Sequence, residues 1–396
     1  MDSTPRAGFV NDTADFVIVG GGVQGASLAF HLASTGAGSV ILLEQHTLAS
    51  GPTGRSGAMI RPLFTERAYI ELVTAATAMF EEWGVIVGGD AGYHQPGFVR
   101  IVSEWTEDQI GADLDLLEQL GVRHERISQN DLSQYVPLGA FHDGELGLFL
   151  PDGGFADPVW TTRTLARAAD RAGATIMEGV AVTGVTTANG RMQAVETSAG
   201  RIASPVVVNC AGAWSRDLAR MVGVELPIED HRTPTAILYA PEGYPEGAPI
   251  QSDVRNKVYM RSLGANLLRV AHFGWRPDLA NPDDFDETVS QEQLRTLQDA
   301  SHQRVPSMRF TPVFGGFSAI YDMTPDGHPI IGLIDGPDGF WCNCGWSGNG
   351  FASAPAVGRS LAQLITQQTS DIDLSFFGWP RRDDIKVRPD VQHVHR

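Results

Sequence analysis

The sequence predicts an α/β architecture: a parallel sheet wrapped by helices in one domain, and a second α+β domain built on a mostly antiparallel sheet. Three observations predict it. Asp15-Phe-Val-Ile-Val19 is a short apolar run that leads into Gly20-Gly-Gly-Val-Gln-Gly25, an amphipathic segment from Ala26 to Thr35 and a second apolar run, Val40-Ile-Leu-Leu43. Val206-Val-Val-Asn-Cys210 repeats the pattern of a buried strand, ending in the small-residue turn Ala211-Gly-Ala213. From Asp217 to about Arg304, strand-length segments follow one another in series, as an antiparallel sheet requires. At 396 residues the chain exceeds one hydrophobic core and divides into about two domains.

The first unit carries chemistry. Gly20, Gly22 and Gly25 fit Gly-x-Gly-x-x-Gly between a strand and a helix. The first glycine permits the tight turn, the second lets backbone approach a pyrophosphate, and the third allows close helix-strand packing. Val23 and Gln24, inside the glycine loop, are expected at the cofactor, and the helix that follows presents its unpaired N–H groups to the phosphates. Glu44, at the end of the second strand, accepts from a ribose hydroxyl and repels a 2′-phosphate, with Gln45 beside it. The expected ligand is an adenine dinucleotide, FAD or NAD rather than NADP. The loop Ser50 to Arg61 reads either as a flexible connection or, lying at the carboxyl edge of the sheet, as a binding loop; its position favours binding, with Gly54, Arg55 and Ser56 near the cofactor and Arg61 near a substrate.

The rest follows in order. Glu66 to Trp83 is an amphipathic helix, Gly97 to Val102 a strand and Thr106 to Leu120 a helix, an excursion into the second domain. The chain returns through the Gly- and Pro-rich loop Gly147 to Pro158, and Pro158 opens a helix to Ala172. Ala174 to Met177, Gly179 to Thr186 and Met192 to Ser198 alternate as short strands around a turn at Ala188-Asn-Gly190, and Val180 is a further candidate at the cofactor. Ala211, Gly212 and Trp214 follow the Val206 strand, where a small-residue turn admits a cofactor. Thr233 to Ala240, Lys257 to Ser262 and Asn266 to Phe273 are strands of the second domain, and Ser290 to Gln293 is a capping box opening a helix. The last block, from Phe314 through Gly348-Asn-Gly-Phe351 to a helix from Ala354 to Ile365, is expected back in the first domain, with the Gly348, Asn349, Gly350 and Phe351 backbone at a helix N-terminus. The division is 14–83, 145–216 and 305–370 for the nucleotide domain and 84–144 and 217–304 for the second, with flexible termini at 1–13 and 371–396.

Composition excludes some functions. A net charge of −18 argues against nucleic acid and anionic membrane as partners. No run reaches about 18 apolar residues, so no membrane span is expected. Cys210, Cys342 and Cys344 make neither a disulfide framework nor a metal site, which suits a reducing compartment. The polar stretch Met1 to Thr13 lacks the apolar core of a signal peptide, so the expected location is the cytoplasm.

Asn209-Cys-Ala-Gly-Ala-Trp-Ser215, Tyr321-Asp-Met-Thr-Pro-Asp-Gly-His-Pro329 and Gly345-Trp-Ser-Gly-Asn-Gly-Phe351, in this order after the glycine triplet, resemble the D-amino-acid-oxidase-like flavoproteins. That group contains glycine oxidase, the sarcosine oxidases and the sarcosine, dimethylglycine and proline dehydrogenases, and the Tyr-Asp-Met-Thr-Pro-Asp form is most similar to the sarcosine oxidase β-subunit branch. The resemblance covers roughly residues 14 to 370. It implies a Rossmann-like, glutathione-reductase-like FAD-binding domain and oxidation of a carbon–nitrogen bond in an amino acid or N-methyl amine, with oxygen or another electron acceptor. It places Arg61 at the substrate carboxylate and His272 over the flavin, with Tyr259 and Tyr321 as further catalytic candidates. The family's covalent attachment points fall on Gly54-Arg55 and Ala319, which implies non-covalent FAD. The lysine and histidine that assist carboxylate binding in relatives are replaced by Ala352 and Asn349, and the oxygen-activating lysine falls on Leu268, with Arg269 next door. Loss of that lysine implies a dehydrogenase; a one-residue slip would reverse which side chain faces the flavin. The alternative reading is a non-catalytic FAD protein, or one acting on an amine without a carboxylate.

Overall fold

The computed structural model describes residues 12–102, 114–273 and 279–381. One sheet has six strands: β1 (Phe16–Val19), β2 (Val40–Glu44), β6 (Thr175–Glu178), β7 (Val206–Asn209), β13 (Ile330–Leu333) and β14 (Phe340–Cys344). Their order is β13-β14-β7-β1-β2-β6, and every neighbouring pair is parallel except β13 with β14. β1 is buried along its whole length, which is why its sequence is an unbroken apolar run rather than an alternating one.

Helix α1 (Val23–Thr35) follows β1 directly and packs against α3 (Pro158–Arg171) and α5 (Gly350–Gln367). Asp157 caps α3 by accepting from the Val159 and Trp160 N–H groups at 2.9 and 2.8 Å, with Pro158 in the first turn. Helix α2 (Arg67–Glu81) lays Tyr69, Ile70, Leu72, Val73, Ala76 and Phe80 into the core. The expected helix from Thr106 lies outside the described residues up to Asp113; residues 114–119 are helical.

A second sheet has eight strands: β3 (Phe98–Val102), β4 (Glu125–Ile127), β5 (Leu146–Leu150), β8 (Glu229–Tyr239), β9 (Ile250–Asp253), β10 (Val258–Gly264), β11 (Leu267–His272) and β12 (Val313–Met323). The order is β12-β8-β11-β10-β9-β3-β5-β4, antiparallel throughout except for β9 with β3. Helix α4 (Gln291–Arg304) starts at the capping box read from the sequence and packs on one face of this sheet. A separate three-stranded meander spans residues 182–203 and turns at Asn189 and Gly190, both at positive φ.

Sheet membership differs from the expected division in two places. Residues 146–150 pair with β3, and residues 313–323 pair with β8, so both belong to the eight-stranded sheet rather than to the nucleotide-binding one. The physical reason is that the backbone groups of each extended segment are satisfied by a strand of the other sheet that lies far from it in the sequence. Residues 371–381, expected to be flexible, are docked instead. Leu374 and Phe377 are buried in the main core, and Arg381 donates to both Asp326 carboxylate oxygens and to the His328 carbonyl.

Candidate cofactor and substrate site

Between the two sheets lies a cavity of about 960 Å³. Its dinucleotide end is built at the carboxyl ends of β1, β2 and β7, the crevice position for ligands in open α/β sheets. Gly20 has φ +116°, and a Cβ there would stand 2.3 Å from the Cys210 carbonyl oxygen. Only glycine lets the β1–α1 turn lie this close to the end of β7. Helix α1 has no side-chain cap at Gly22 and no acidic residue in its first turn, so its N-terminus opens on the cavity as an anion site; the Val23 N–H alone meets a side chain, Thr53 Oγ1, at 3.2 Å. Glu44 is oriented by the Gly21 and His46 N–H groups, each 2.8 Å from one of its carboxylate oxygens. These features fit an adenine dinucleotide.

The loop after β2 is ordered by the other domain. Residues Pro52–Arg55 form a 3-10 turn. Arg261 Nε donates to the Gly57 carbonyl at 2.8 Å, and Arg269 donates to the Ser56 and Arg55 carbonyls at 2.7 and 2.5 Å. The two arginines stand opposite each other on β10 and β11. Burial first, then the charge of Arg269, lowers the Arg261 pKa to about 10. Arg55 itself pairs with Glu287 at 2.5 Å.

The candidate residues converge almost completely. Gly20, Gly22, Val23, Gln24, Glu44, Gln45, Arg55, Ser56, Val180, Ala211, Gly212, Trp214, Gly348, Asn349, Gly350 and Phe351 all line the cavity, as do Arg61, Tyr259, His272 and Tyr321. Gly54 does not: its N–H bonds the Ala49 carbonyl at 3.0 Å, and a Cβ there would meet that oxygen at 2.3 Å, so it closes the loop on itself. Gln24 also does something other than expected. Its amide donates to the Gly350 carbonyl at 2.7 Å and accepts from Asn343, tying the starts of α1 and α5 together.

At the substrate end Arg61 is buried, its guanidinium 5.0 Å from the Phe64 ring centre and 5.6 Å from that of Phe98. Tyr259 lies against Gly57 and Tyr321 against Gly348, one tyrosine on each cofactor loop. Burial, and then Tyr259, push the Tyr321 hydroxyl well above its ordinary value, so it remains a donor. His272 lines the cavity, although its strand parity is that of Leu268 and Val270, which pack toward α4. The parity question at Leu268 is thereby decided: Leu268 is in the core, and Arg269 faces the cofactor loop with its guanidinium committed to carbonyls. Among the described residues no lysine lines the cavity. Of Tyr259, Trp275 and Trp346, the aromatic residues that could enlarge an apolar pocket, Tyr259 and Trp346 line the cavity and Trp275 lies outside the described residues.

Residues that sequence reasoning missed include Thr53, Phe64, Phe98, Ser252, Asp283 and Glu287. Asp283 accepts from Trp214 Nε1 at 2.6 Å, so the segment around 281–288 closes one side of the cleft. Thr53 lies within the binding loop and Phe64 just beyond it, whereas Phe98, Ser252, Asp283 and Glu287 reach the site from distant elements that no local signal marks.

Comparison with known proteins agrees with this geometry. The chain is 29% identical over 384 residues to the mitochondrial sarcosine dehydrogenase of Mus musculus, covering 91% of this chain and 40% of that protein. It is 25% identical to the glycine oxidase of Pseudomonas putida, covering 90% and 96%. The chain thus spans less than half of the sarcosine dehydrogenase and nearly all of the glycine oxidase. In fold it matches the crystal structure of L-proline dehydrogenase from P. horikoshii with a TM-score of 0.85 at 24% identity, covering 93% of this chain and 97% of that one. The family model for FAD dependent oxidoreductases, DAO, matches residues 15–364, and the chain belongs to that family.

Proposed function

We propose that this protein oxidises the carbon–nitrogen bond of an amino acid or N-methyl amine, with the carboxylate held by Arg61. The observation that carries the reading is a buried arginine, flanked by two phenyl rings, in the same cavity as the dinucleotide cradle. Bound FAD, held without a covalent link, supplies the hydride acceptor; the hard electronic step is the cofactor's. The chain supplies placement. Arg61 presents a planar fork to a carboxylate. Tyr259 and Tyr321 hold the amine end between the two cofactor loops, and His272 favours its unprotonated form. The N-terminus of α5, at Gly348 to Gly350, stabilises negative charge on the cofactor side. Holding the donor carbon at attack distance accounts for roughly 7–11 kcal/mol of barrier at most. The imine formed on the substrate is hydrolysed by water.

With no lysine in the cavity wall among the described residues, oxygen is a poor acceptor and the reading is a dehydrogenase. Ala352 lines the wall where relatives carry a second cation, which favours as second reading an amine that lacks a carboxylate. One experiment separates them. Under anaerobic conditions the flavin absorbance is recorded with a panel of N-methyl, cyclic and D-amino acids and with their decarboxylated counterparts, then again after air is admitted. Bleaching by a carboxylated amine with slow recolouring supports the dehydrogenase. Bleaching only by decarboxylated amines overturns the Arg61 anchor, and a flavin bleached by none of them identifies a non-catalytic FAD protein.

A further inference from the structure

Asp230 on β8 and Asp322 on β12 stand directly opposite each other in an antiparallel pair, so both carboxyl groups project from the same face of the sheet. They are only 2% and 6% exposed. Asp322 lines the cofactor cavity, and its Oδ2 accepts from the Gly345 and Trp346 N–H groups at 2.8 and 3.1 Å, pinning the loop that leads to the N-terminus of α5. Neither carboxylate oxygen of Asp230 meets a donor among the described residues. Among the described residues the further charged groups acting on Asp230 are Arg216 and Asp217, from the short helix Ser215–Arg220; Arg216 NH1 is committed to the Ile228 carbonyl at 3.0 Å, and the loop after β14 brings Asp322 backbone donors. Two like charges buried side by side, one of them without a hydrogen bond, do not ionise independently. Burial, then the charge of Asp322, raises Asp230 to about 7, and burial raises Asp322 to about 6.

We propose that Asp230 and Asp322 share one proton, and that the charge of this pair tunes how readily the bound flavin is reduced. The inference rests on the FAD reading above. With its proton the pair carries a single negative charge. Ionisation releases that proton to solvent and adds a second buried negative charge beside residues 346–350, which wall the cofactor cavity. Reduced flavin is the more electron-rich state, so the added charge opposes reduction. Both acids act through the field at the cofactor rather than by touching substrate.

The test uses the FAD-loaded protein, equilibrated with a reference dye under a slow enzymatic electron source, from about pH 5 to about pH 8, the span over which the pair would lose its shared proton. Asp230→Asn is expected to hold several-fold more reduced flavin than wild type at the upper pH and the same amount at the lower. Asp322→Asn is expected to shift in the same direction. Parallel curves for wild type and Asp230→Asn overturn the proposal. Asp230 holds no loop donor, so its variant decides the matter even where Asp322→Asn fails to fold. Absorbance of the purified protein reports separately on the cofactor: a chain that cannot be loaded with FAD overturns the FAD reading and the tuning with it, whereas a loaded chain with parallel curves overturns the tuning alone.

Discussion

Single residues carry the sharpest consequences. Gly20→Ala places a methyl group 2.3 Å from the Cys210 carbonyl, so the β1–α1 turn must open; the variant is expected to purify without flavin colour while keeping its far-UV circular dichroism. Arg61→Met removes the buried cation proposed to hold the substrate carboxylate, and the loss of a charged hydrogen bond of about 1.5–3 kcal/mol should lower kcat/KM roughly 10- to 100-fold for carboxylated amines, chiefly through KM. Substrates without a carboxylate should be unaffected. Asp230 gives a pH-dependent prediction whose sign is unusual for an acid. Its pKa is raised in the folded chain to about 7, so the folded state retains a proton that the unfolded state has lost, and stability falls as pH rises from the ordinary carboxylate value through 7. Asp230→Asn should therefore melt above wild type at about pH 8, with the difference shrinking toward about pH 5, as differential scanning calorimetry would show.

At the scale of elements, the cofactor loop depends on strands far away in sequence. Arg261 and Arg269 hold three successive carbonyls, those of residues 55, 56 and 57, so the binding loop of one sheet is stapled by the other. Arg269→Met should weaken FAD binding by about tenfold or more, in proportion to a charged hydrogen bond, and expose the loop to protease; titration of apoprotein with FAD measures the first and limited digestion the second. The elements themselves were legible to different degrees. Strands β1 and β2 and helix α1 were plain because an apolar run, a glycine turn and an amphipathic helix are local signals. Residues 250–253, Ile-Gln-Ser-Asp, were not, since three of four are polar; all four are buried, with Gln251 donating to the Tyr244 hydroxyl and Asp253 paired to Arg304. Burial of polar side chains is paid for by partners that no local pattern reveals.

For the whole molecule, the apolar join between α4 and the eight-stranded sheet ends in a buried ionic network at the last residue of the helix. Arg304 donates to both Glu145 oxygens at 2.7 and 2.8 Å and to Asp253 at 2.7 Å. Arg304→Met removes the ion partner of Asp253 and leaves Glu145 to the partly exposed Arg255 at 3.4 Å, and should cost up to about 3–5 kcal/mol in urea unfolding. Added FAD should restore part of the loss in proportion to the logarithm of its concentration, because it binds only the folded chain. The same variant should leave the flavin spectrum of the folded fraction unchanged, since the network lies outside the cofactor cavity.

The dinucleotide cradle could be read from residues alone: glycine spacing, strand, helix and acid lie within about thirty positions, and backbone sterics act at that range. Family membership followed from motifs that each sit on one turn. What a linear reading left open was decided by packing. Whether Leu268 or Arg269 meets the cofactor loop depends on strand parity, and parity is set by which face α4 covers. That residues 313–323 belong to the second sheet depends on their long-range pairing with β8, and the same register brings Asp230 opposite Asp322. Such pairings are properties of the assembled sheet, because the free energy that selects them comes from partners some ninety residues apart in the chain.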